Sequence, residues 1–160
     1  MLEASVRIAR RDDVPTLVAL MTEFYDEAGY SLPPEPATRA FLALLDDPRL
    51  GRVWLVESGG VPVGHLVLTL GFSMEFGGLR GFIDDFFVRP AARGKGLGAA
   101  ALAAVKLECT TLGVRALLVE TGPSEHPARR LYERAGFQES GRALLSQALV
   151  PALHQAQELT

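Results

Sequence analysis

The stretch Phe82-Ile83-Asp84-Asp85-Phe86-Phe87-Val88 is followed, after four intervening residues, by Arg93-Gly94-Lys95-Gly96-Leu97-Gly98-Ala99. The first run is apolar apart from two aspartates and predicts a strand, and the alanine-rich residues 99–107 predict a helix. Glycines in the turn between them let the backbone approach a ligand closely. The first amides of a helix lack intrahelical partners and carry the positive end of its dipole. Together these features predict a cradle for a pyrophosphate group.

Two widespread phosphate-binding motifs fit this turn poorly. A P-loop requires Gly-x-x-x-x-Gly-Lys-Ser/Thr, which the sequence lacks. The dinucleotide-binding motif matches the spacing of Gly94, Gly96 and Ala99, and Glu120 follows about 20 residues later, as a ribose-binding acid would. However, that motif turns directly off its strand, whereas residues 89–93 intervene here, and the chain has no room for a second mononucleotide-binding half. A nucleotide-binding oxidoreductase stays an alternative, to be tested by stabilisation with NAD(P).

A third motif, Arg-x-x-Gly-x-Gly, is met by Arg93, Gly96 and Gly98. It resembles the coenzyme A signature of the GNAT N-acetyltransferase superfamily. The flanks are similar too: residues 83–90 resemble the strand before that signature, and residues 131–137 resemble the superfamily's helix-to-strand segment near the C-terminus. The resemblance covers about residues 5–150 and implies an acetyl-CoA-dependent N-acetyltransferase.

Composition and charge narrow the classes of protein. A chain of 160 residues, 48% hydrophobic and 22% charged, predicts one domain, 1–160, with a core at about 5–150 and a tail at 151–160. A net charge of −3 gives no reason to expect binding to nucleic acid or to an anionic membrane. No apolar run approaches the ~20 residues of a membrane span, and the first residues do not resemble a signal peptide.

Cysteine and histidine content predict the compartment and the absence of a metal. The single Cys109 excludes an internal disulfide and is typical of a reducing cytoplasm. The three histidines are far apart and have no metal-ligand spacing, so no metal site is predicted.

Apolar periodicity predicts alternating short strands and helices. The predicted strands are 6–8, 53–57, 61–70, 79–89 and 115–121, with a last strand or strands within 137–150. The predicted helices run from Asp12 or Asp13 to Gly29 and over 38–45, 96–112 and 127–135, while residues 30–36 are predicted to be a proline-rich loop. This order resembles the GNAT fold, an α/β fold whose twisted, mostly antiparallel sheet carries helices on both faces.

The resemblance implies that acetyl-CoA is the co-substrate. Backbone amides of the turn would hold its pyrophosphate, and the preceding strand would pair with its pantetheine arm as though it were an extra strand. The cofactor-binding positions are Phe86, Phe87, Val88, Arg93, Gly94, Lys95, Gly96, Leu97, Gly98 and Ala99. Lys95 is equally well explained as a solvated turn charge, and a plain tight turn with a helix cap is the alternative explanation of the glycines.

Asp84 and Asp85 stand inside an otherwise apolar strand. Strand periodicity predicts that their side chains leave opposite faces, and a buried unpaired carboxylate is costly, so at least one should have a partner or face a wet cleft. In polyamine-acetylating members of the superfamily an acidic residue at the Asp84 position is a proposed base. The resemblance therefore implies a catalytic Asp84, and the short side chain favours a water relay. The alternative is that both carboxylates close structural hydrogen bonds.

Tyr132 shares one helical face with Ala128, Leu131 and Ala135, so its ring is expected to point inward. The matching tyrosine of the superfamily lies beside the coenzyme A sulfur and is the proposed acid. Since a tyrosine pKa near 10 exceeds a thiol pKa near 8.5, hydrogen-bond donation to the leaving thiolate is a safer role than full proton transfer. A packing role is the alternative. Where many members carry an asparagine three residues before the alanine, this chain has Glu125, so the role of that amide cannot be carried over.

The acceptor amine is expected near the first helices and the loop before the central strand. Candidate acceptor-site residues are Glu23, Tyr25, Asp26, Tyr30, Glu75, Asp85 and Glu120, each also explained as a solvated group. The predicted reaction is direct attack by a primary amine, favoured to belong to a small cationic molecule, in a ternary complex. Alternatives are a protein or peptide acceptor and a non-catalytic acyl-CoA sensor. Dimers are common in the superfamily, so a homodimer is a possible assembly.

Overall fold

The computed structural model of the chain describes residues 3–122 and 126–155. These residues form five strands and four helices, with short 3-10 turns at Arg11–Asp13 and Pro90–Ala92. In chain order the elements are β1 (Ala4–Ile8), α1 (Val14–Glu27), α2 (Pro34–Asp46), β2 (Gly51–Ser58), β3 (Val61–Ser73), β4 (Gly78–Val88), α3 (Leu97–Leu112), β5 (Ala116–Val119) and α4 (Pro127–Arg134). Within these described ranges no helix combines the length and the apolar character needed to cross a membrane.

The strands form one mixed sheet in the order β1-β2-β3-β4-β5. Strands β1 to β4 pair with one another in antiparallel fashion, and β5 is parallel to β4. Alternate residues of β3 face opposite sides, because side chains of a strand alternate. Val67 packs in a cluster with α1 and α2, whereas Leu66 and Leu68 pack with α3 and Tyr132 of α4. The prediction of a mixed sheet with helices on both faces is confirmed.

The start of α2 differs from the sequence prediction. The helix begins at Pro34 rather than at residue 38, so Pro34 and Pro36 lie in its first turn instead of in a loop. The first-turn amides of a helix have no intrahelical acceptor, and a proline there loses no hydrogen bond. The rule that excludes proline from a helix interior therefore does not apply to these positions.

The prediction of a last strand within residues 137–150 is wrong for this structure. None of those residues is in a strand, and β5 itself has only four residues. Among the described residues, the backbone groups of 138–151 form no hydrogen bond with another backbone group. A strand forms only where a neighbour supplies donors and acceptors, and β5 pairs with β4 alone.

A histidine is enclosed in the α1–α2 face of the sheet. His65 of β3 is 0% exposed and is surrounded by the rings of Phe24, Phe41 and Phe87, with centroids 6.3 to 6.4 Å away. Neither ring nitrogen has a hydrogen-bond partner in the described residues. Burial lowers the pKa of His65 to about 4, because the charged imidazolium cannot be solvated there.

This burial predicts a loss of stability in mild acid. The unfolded chain protonates His65 below about pH 6.5, whereas the folded chain keeps it neutral down to about pH 4. Protonation of His65 therefore leaves the free energy of unfolding unchanged above pH 6.5 and lowers it by about 3 kcal/mol as the pH drops to 4. The free energy of unfolding, measured with urea, should therefore fall less for His65→Leu than for the parent between pH 7 and pH 4. If the difference in this free energy between variant and parent is the same at both pH values, the prediction is contradicted.

Candidate active site

The sheet opens where β4 and β5 part. β4 pairs with β5 only as far as Ile83, which lies opposite Val119. Beyond this point the edge of β4 has no strand beside it in the described chain, although its other edge stays paired with β3 up to Val88. The resulting gap exposes backbone donors and acceptors of β4 to an extended ligand.

A β-bulge lies at the start of this gap. On β3, Val67 opposes Asp85 and the next residue, Leu68, opposes Ile83, so Asp84 is an extra residue with no counterpart. A bulge bends its strand and re-aims the side chains beside it. The regular alternation that predicts opposite faces for the two aspartates is therefore broken at this point.

A glycine-rich loop leads from β4 into α3. Gly94 and Gly96 adopt φ values of +76° and +80°, which L side chains rarely tolerate, and a Cβ at either position would have open space around it. Gly96 is the N-cap of α3 and offers no side chain to the first amides of the helix. The free amides and the positive end of the helix dipole therefore point into the loop.

Gly98 serves a different purpose from the other two glycines. It lies in the first turn of α3, and a Cβ there would approach Cδ2 of Leu131 to 2.9 Å and the Phe86 ring to 3.7 Å. Its missing side chain lets the start of α3 pack closely against α4 and β4.

Two ion pairs fasten this loop to α1. Glu23 accepts hydrogen bonds from the Nε and Nη2 of Arg89 at 2.8 to 3.1 Å. One turn further along α1, Glu27 accepts from Arg93 Nη2 at 2.8 Å, while Arg93 Nε donates to the Val88 carbonyl at 2.8 Å. The two pairs are four residues apart along α1 and also along the loop, so they hold the loop at two successive points.

The charges of Asp84 and Asp85 both raise the pKa of one tyrosine, Tyr25. Burial and then the charge of Asp84 raise the pKa of Asp85 to about 7, and burial raises the pKa of Asp84. On α1, burial and then the charges of Asp85 and Asp84 raise the pKa of Tyr25 to about 12. Every salt bridge of the described residues involves other groups, so neither carboxylate has a cationic partner there. The arrangement leaves two carboxylates free to attract a cation.

Tyr132 lies on the other side of β4. It is 8% exposed, and its ring packs against Phe86 and Phe137 with centroids 6.3 and 5.6 Å away. Burial raises its pKa to about 12, so the phenol stays protonated at any ordinary pH. A protonated phenol can donate a hydrogen bond to a ligand.

The comparison with known proteins agrees with this geometry. Residues 17–137, most of the chain, match the sequence profile of the Acetyltransferase (GNAT) family. The chain belongs to this family. It is therefore an acetyl-CoA-dependent N-acetyltransferase, and the GNAT resemblance predicted from residues 83–98 and 131–137 is confirmed.

Three known proteins are similar to this chain in sequence or in fold. An integron cassette protein from the mobile metagenome of Cole Harbour Salt Marsh is 64% identical, with 93% of each chain covered and a TM-score of 0.87. The uncharacterized N-acetyltransferase YhfO of Bacillus subtilis is 29% identical over 84% of this chain and 90% of its own. An aminoglycoside N-acetyltransferase solved with coenzyme A is 16% identical, with 94% and 97% of the chains covered and a TM-score of 0.80.

The acetyltransferase fits its donor at two places. The φ-positive glycines and uncapped start of α3 suit a pyrophosphate, and the unpaired edge of β4 suits an extended pantetheine arm. Acetyl-CoA, the co-substrate predicted from the sequence, is the donor that the family uses. Its thioester supplies an activated acyl group, while the chain supplies position, charge and hydrogen bonds.

The remaining predicted acceptor residues are dispersed. Glu23 is occupied by Arg89, and Glu75 in the β3–β4 connection is paired with Arg142 at 2.9 Å, so neither carboxylate is free. Asp26 is exposed near the end of α1, and Glu120 is exposed directly after β5. Lys95 is exposed in the loop. Glu125, at the position of the family asparagine, lies outside the described residues.

The C-terminal segment contributes contacts that sequence reasoning did not anticipate. Leu153 packs on the α1–α2 cluster, and the His154 ring lies 5.8 Å from Tyr25 and 4.3 Å from Tyr30 between ring centroids. The segment therefore lies beside Tyr25 of α1 and Tyr30, which follows that helix. No motif marks it in the sequence. The ion pairs of Arg89 and Arg93, by contrast, could have been predicted from the sequence, because Glu23 and Glu27 have the same four-residue spacing as the two arginines.

Proposed function

We propose that this acetyltransferase acetylates a primary amine of a small cationic molecule by direct attack in a ternary complex. The observation that carries the proposal is the pair Asp84 and Asp85, two carboxylates without a cationic partner in the described chain at the opening of the sheet. A protonated amine neutralises part of their mutual repulsion and of their desolvation. Such a pair favours a cationic acceptor over a neutral or acidic one.

The donor is held by backbone rather than by charged side chains in this proposal. The pyrophosphate binds amides of residues 93–99, and the pantetheine arm binds the free edge of β4 at Phe86, Phe87 and Val88. Arg93 does not contribute a free guanidinium, because its side chain is bonded to Glu27 and to the Val88 carbonyl. Its contribution is to fix the loop on α1, which keeps the amides in position before the donor arrives.

The acceptor side of the proposed reaction is formed by α1 and the bulge. An alkylamine with a pKa of about 10.4 is almost fully protonated at pH 7 and cannot attack a thioester. Asp84, directly or through water, takes up that proton, while Asp85 and Tyr25 hold the charged group. On the other side of β4, the Tyr132 hydroxyl donates a hydrogen bond to the sulfur as the thiolate leaves.

Solved proteins of this fold include, by their names, both a ribosomal-protein-alanine N-acetyltransferase and an aminoglycoside N-acetyltransferase, so the choice of a small acceptor rests on the aspartate pair. One solved protein of this fold acts, by its name, on aminoglycosides, which are small polyamines. A protein or peptide acceptor and a non-catalytic acyl-CoA sensor are the competing functions. We further propose a reducing cytoplasm as the compartment, which the single, buried Cys109 supports.

An acceptor screen tests the proposal directly. The full-length chain is incubated with acetyl-CoA and one candidate acceptor at a time, and the released coenzyme A thiol is measured. The panel comprises diamines and polyamines, aminoglycosides, neutral and acidic amino acids, and peptides with free N-termini. The proposal requires the largest kcat/KM with the di- or polycationic amines. Turnover confined to peptides, or none with any acceptor despite coenzyme A binding, overturns it.

Asp84→Asn should be impaired most at neutral pH. Asparagine keeps the size of the side chain but cannot accept a proton, so we expect kcat/KM with a cationic amine to fall at least about tenfold at pH 7. Between pH 7 and pH 9 the free-amine fraction rises by about a hundredfold. The deficit measured against the parent should therefore shrink clearly at pH 9.

Asp12→Asn is the matched control for this variant. Asp12 is an exposed carboxylate in the 3-10 turn after β1, at the opposite edge of the sheet. Asp12→Asn should therefore have the same kcat/KM as the parent at both pH 7 and pH 9. An equal deficit of Asp84→Asn at pH 7 and pH 9 would assign Asp84 a structural role. The base would then be sought at Asp85 or Glu120.

A further inference from the structure

Three aromatic rings from separate parts of the chain meet beside α1. Tyr25 belongs to that helix, Tyr30 to the loop after it, and His154 to the C-terminal segment. The His154 ring lies 4.3 Å from the Tyr30 ring at an interplanar angle of 41°, and 5.8 Å from the Tyr25 ring in an edge-on contact. Tyr30 is 51% exposed, and the other two are half-buried. This aromatic cluster therefore packs on itself and still offers ring surface to a ligand.

Backbone contacts hold the aromatic cluster in place. The amide of Tyr30 donates to the Tyr25 carbonyl at 2.9 Å, which folds the loop back onto the end of α1. In the C-terminal segment, Gln155 N donates to the Ala152 carbonyl at 2.9 Å, and Ala152 N donates to the side-chain oxygen of Gln155 at 3.2 Å. Between them, Leu153 packs on the α1–α2 cluster. The rings are thus positioned by the fold before a ligand arrives.

The aromatic cluster lies on the same side of the sheet as Asp85. Beyond the bulge, Asp85 and Phe87 are alternate residues of regularly paired strand and share one face. The Phe87 ring packs on Phe24 of α1 with centroids 5.5 Å apart, and the Phe24 ring lies 5.7 Å from the Tyr25 ring. Burial, and then the charges of Asp85 and Asp84, raise the pKa of Tyr25 to about 12. The cluster therefore adjoins the aspartate pair.

The surroundings of the aromatic cluster favour a cation. The arginines that bind α1, Arg89 and Arg93, are already paired with Glu23 and Glu27. Within the residues that the structure describes, the aspartate pair has no cationic partner. The face of an aromatic ring attracts a cation through its quadrupole. Ring faces next to unpaired carboxylates consequently suit an ammonium group.

The chemistry of the proposed reaction leaves one of these carboxylates without a counter-charge. The attacking amine has to be neutral, and its proton passes to Asp84. A monoamine is then uncharged, so Asp85 has no cation beside it. A diamine keeps its second ammonium, which can neutralise Asp85 and at the same time lie against the rings.

We propose that the aromatic cluster is a specificity site for the second ammonium of a diamine acceptor, with Asp85 as its counter-charge. This inference rests on the proposed function, which places the acceptor at the aspartate pair. The tyrosine faces bind the ammonium by cation–π attraction, and an unprotonated ring nitrogen of His154 accepts a hydrogen bond from it. The acceptor class is a primary diamine whose two nitrogens are joined by an alkyl chain.

Binding of two matched amines tests the specificity site without relying on turnover. Tetramethylenediamine and butylamine share a four-carbon chain and differ in the second amino group. Each is titrated calorimetrically into the full-length chain saturated with coenzyme A, which carries no acetyl group to transfer. The parent should bind the diamine at least about tenfold more tightly than butylamine. Equal affinities for the two amines overturn the proposal.

This design separates the specificity site from the proposed function. Acetylation of cationic amines by the parent, without a binding preference for the diamine, rejects the specificity site alone. A preference for the diamine that depends on the aromatic cluster, without acetylation of any amine, rejects the proposed function and retains the specificity site.

Variants of the aromatic cluster show whether the rings cause the preference. Tyr30→Leu and His154→Leu should each reduce it to within about threefold and leave butylamine binding nearly unchanged. Tyr30→Phe keeps the ring face and should keep the parent preference. Phe72→Leu is the control, because Phe72 is a 64% exposed ring near the end of β3. It should also behave like the parent.

Three results would contradict a role of the rings. They are a full preference in either leucine variant, an equal loss of affinity for both amines in those variants, and a loss in Tyr30→Phe as large as in Tyr30→Leu. Thermal unfolding of every variant checks that the chain is folded. We expect the leucine variants to fold, because Tyr30 is exposed and His154 is half-buried, and the backbone bonds around them do not involve their side chains.

Discussion

Replacing Gly96 with valine should abolish the stabilisation of this acetyltransferase by coenzyme A. Gly96 is the N-cap of α3 and has φ +80°, a conformation in which a β-branched residue is strongly strained. A Cβ there would meet no neighbour within 4 Å, so the variant is not excluded by crowding. The loop instead relaxes toward negative φ, and the amides at the start of α3 no longer converge on one pyrophosphate.

Thermal unfolding with and without coenzyme A measures this effect. At a hundredfold excess over its dissociation constant, the ligand should stabilise the parent by about 2.7 kcal/mol. Gly96→Val should remain folded and show no shift. Gly113→Val is the matched control, since Gly113 ends the same helix with φ +76° and equally open surroundings. It should show a similar strain and the full coenzyme A shift. A normal shift in Gly96→Val would mean that the cradle lies elsewhere.

The strand, the loop and the helix around Gly96 could be predicted because their signals are local. A buried strand, glycines at alternate positions and an alanine-rich helix are each specified by residues close in sequence. The same holds for Tyr132, whose inward face follows from the helical spacing of its own segment. The placement of a site residue could therefore be predicted where it depends on a single helix, strand or loop.

Features that depend on two elements were not predictable in this way. The bulge at Asp84 exists only as a register shift between β3 and β4, and it breaks the alternation on which the expectation of opposite faces for the two aspartates depended. Glu23 had been a candidate for the acceptor, but Arg89, 66 residues away, takes up its carboxylate. Similarly, residues 137–150 contain the apolar residues of a strand, yet a strand requires a neighbour, and the described part of the chain provides none there.

Tyr132→Phe should lower kcat by about a hundredfold or more while leaving coenzyme A binding nearly unchanged. The ring fills the space between Phe86 and Phe137, and phenylalanine preserves that packing. Only the hydroxyl is lost. Burial raises its pKa to about 12, so transferring its proton fully to a thiolate of pKa near 8.5 would be uphill by roughly 5 kcal/mol. We therefore expect the hydroxyl to act as a hydrogen-bond donor to the developing negative charge.

Kinetics and binding together separate this role from packing. The kcat of Tyr132→Phe is compared with that of the parent under conditions where chemistry limits the rate, and coenzyme A affinity is measured on the same samples. Phe137→Leu is the control, because it loosens the same aromatic cluster without removing a hydroxyl. It should lower stability but leave kcat within a few-fold of the parent. Equal effects of the two variants on kcat would reduce Tyr132 to a packing residue, whereas a selective loss in Tyr132→Phe identifies the hydroxyl as the group that assists departure of the thiolate.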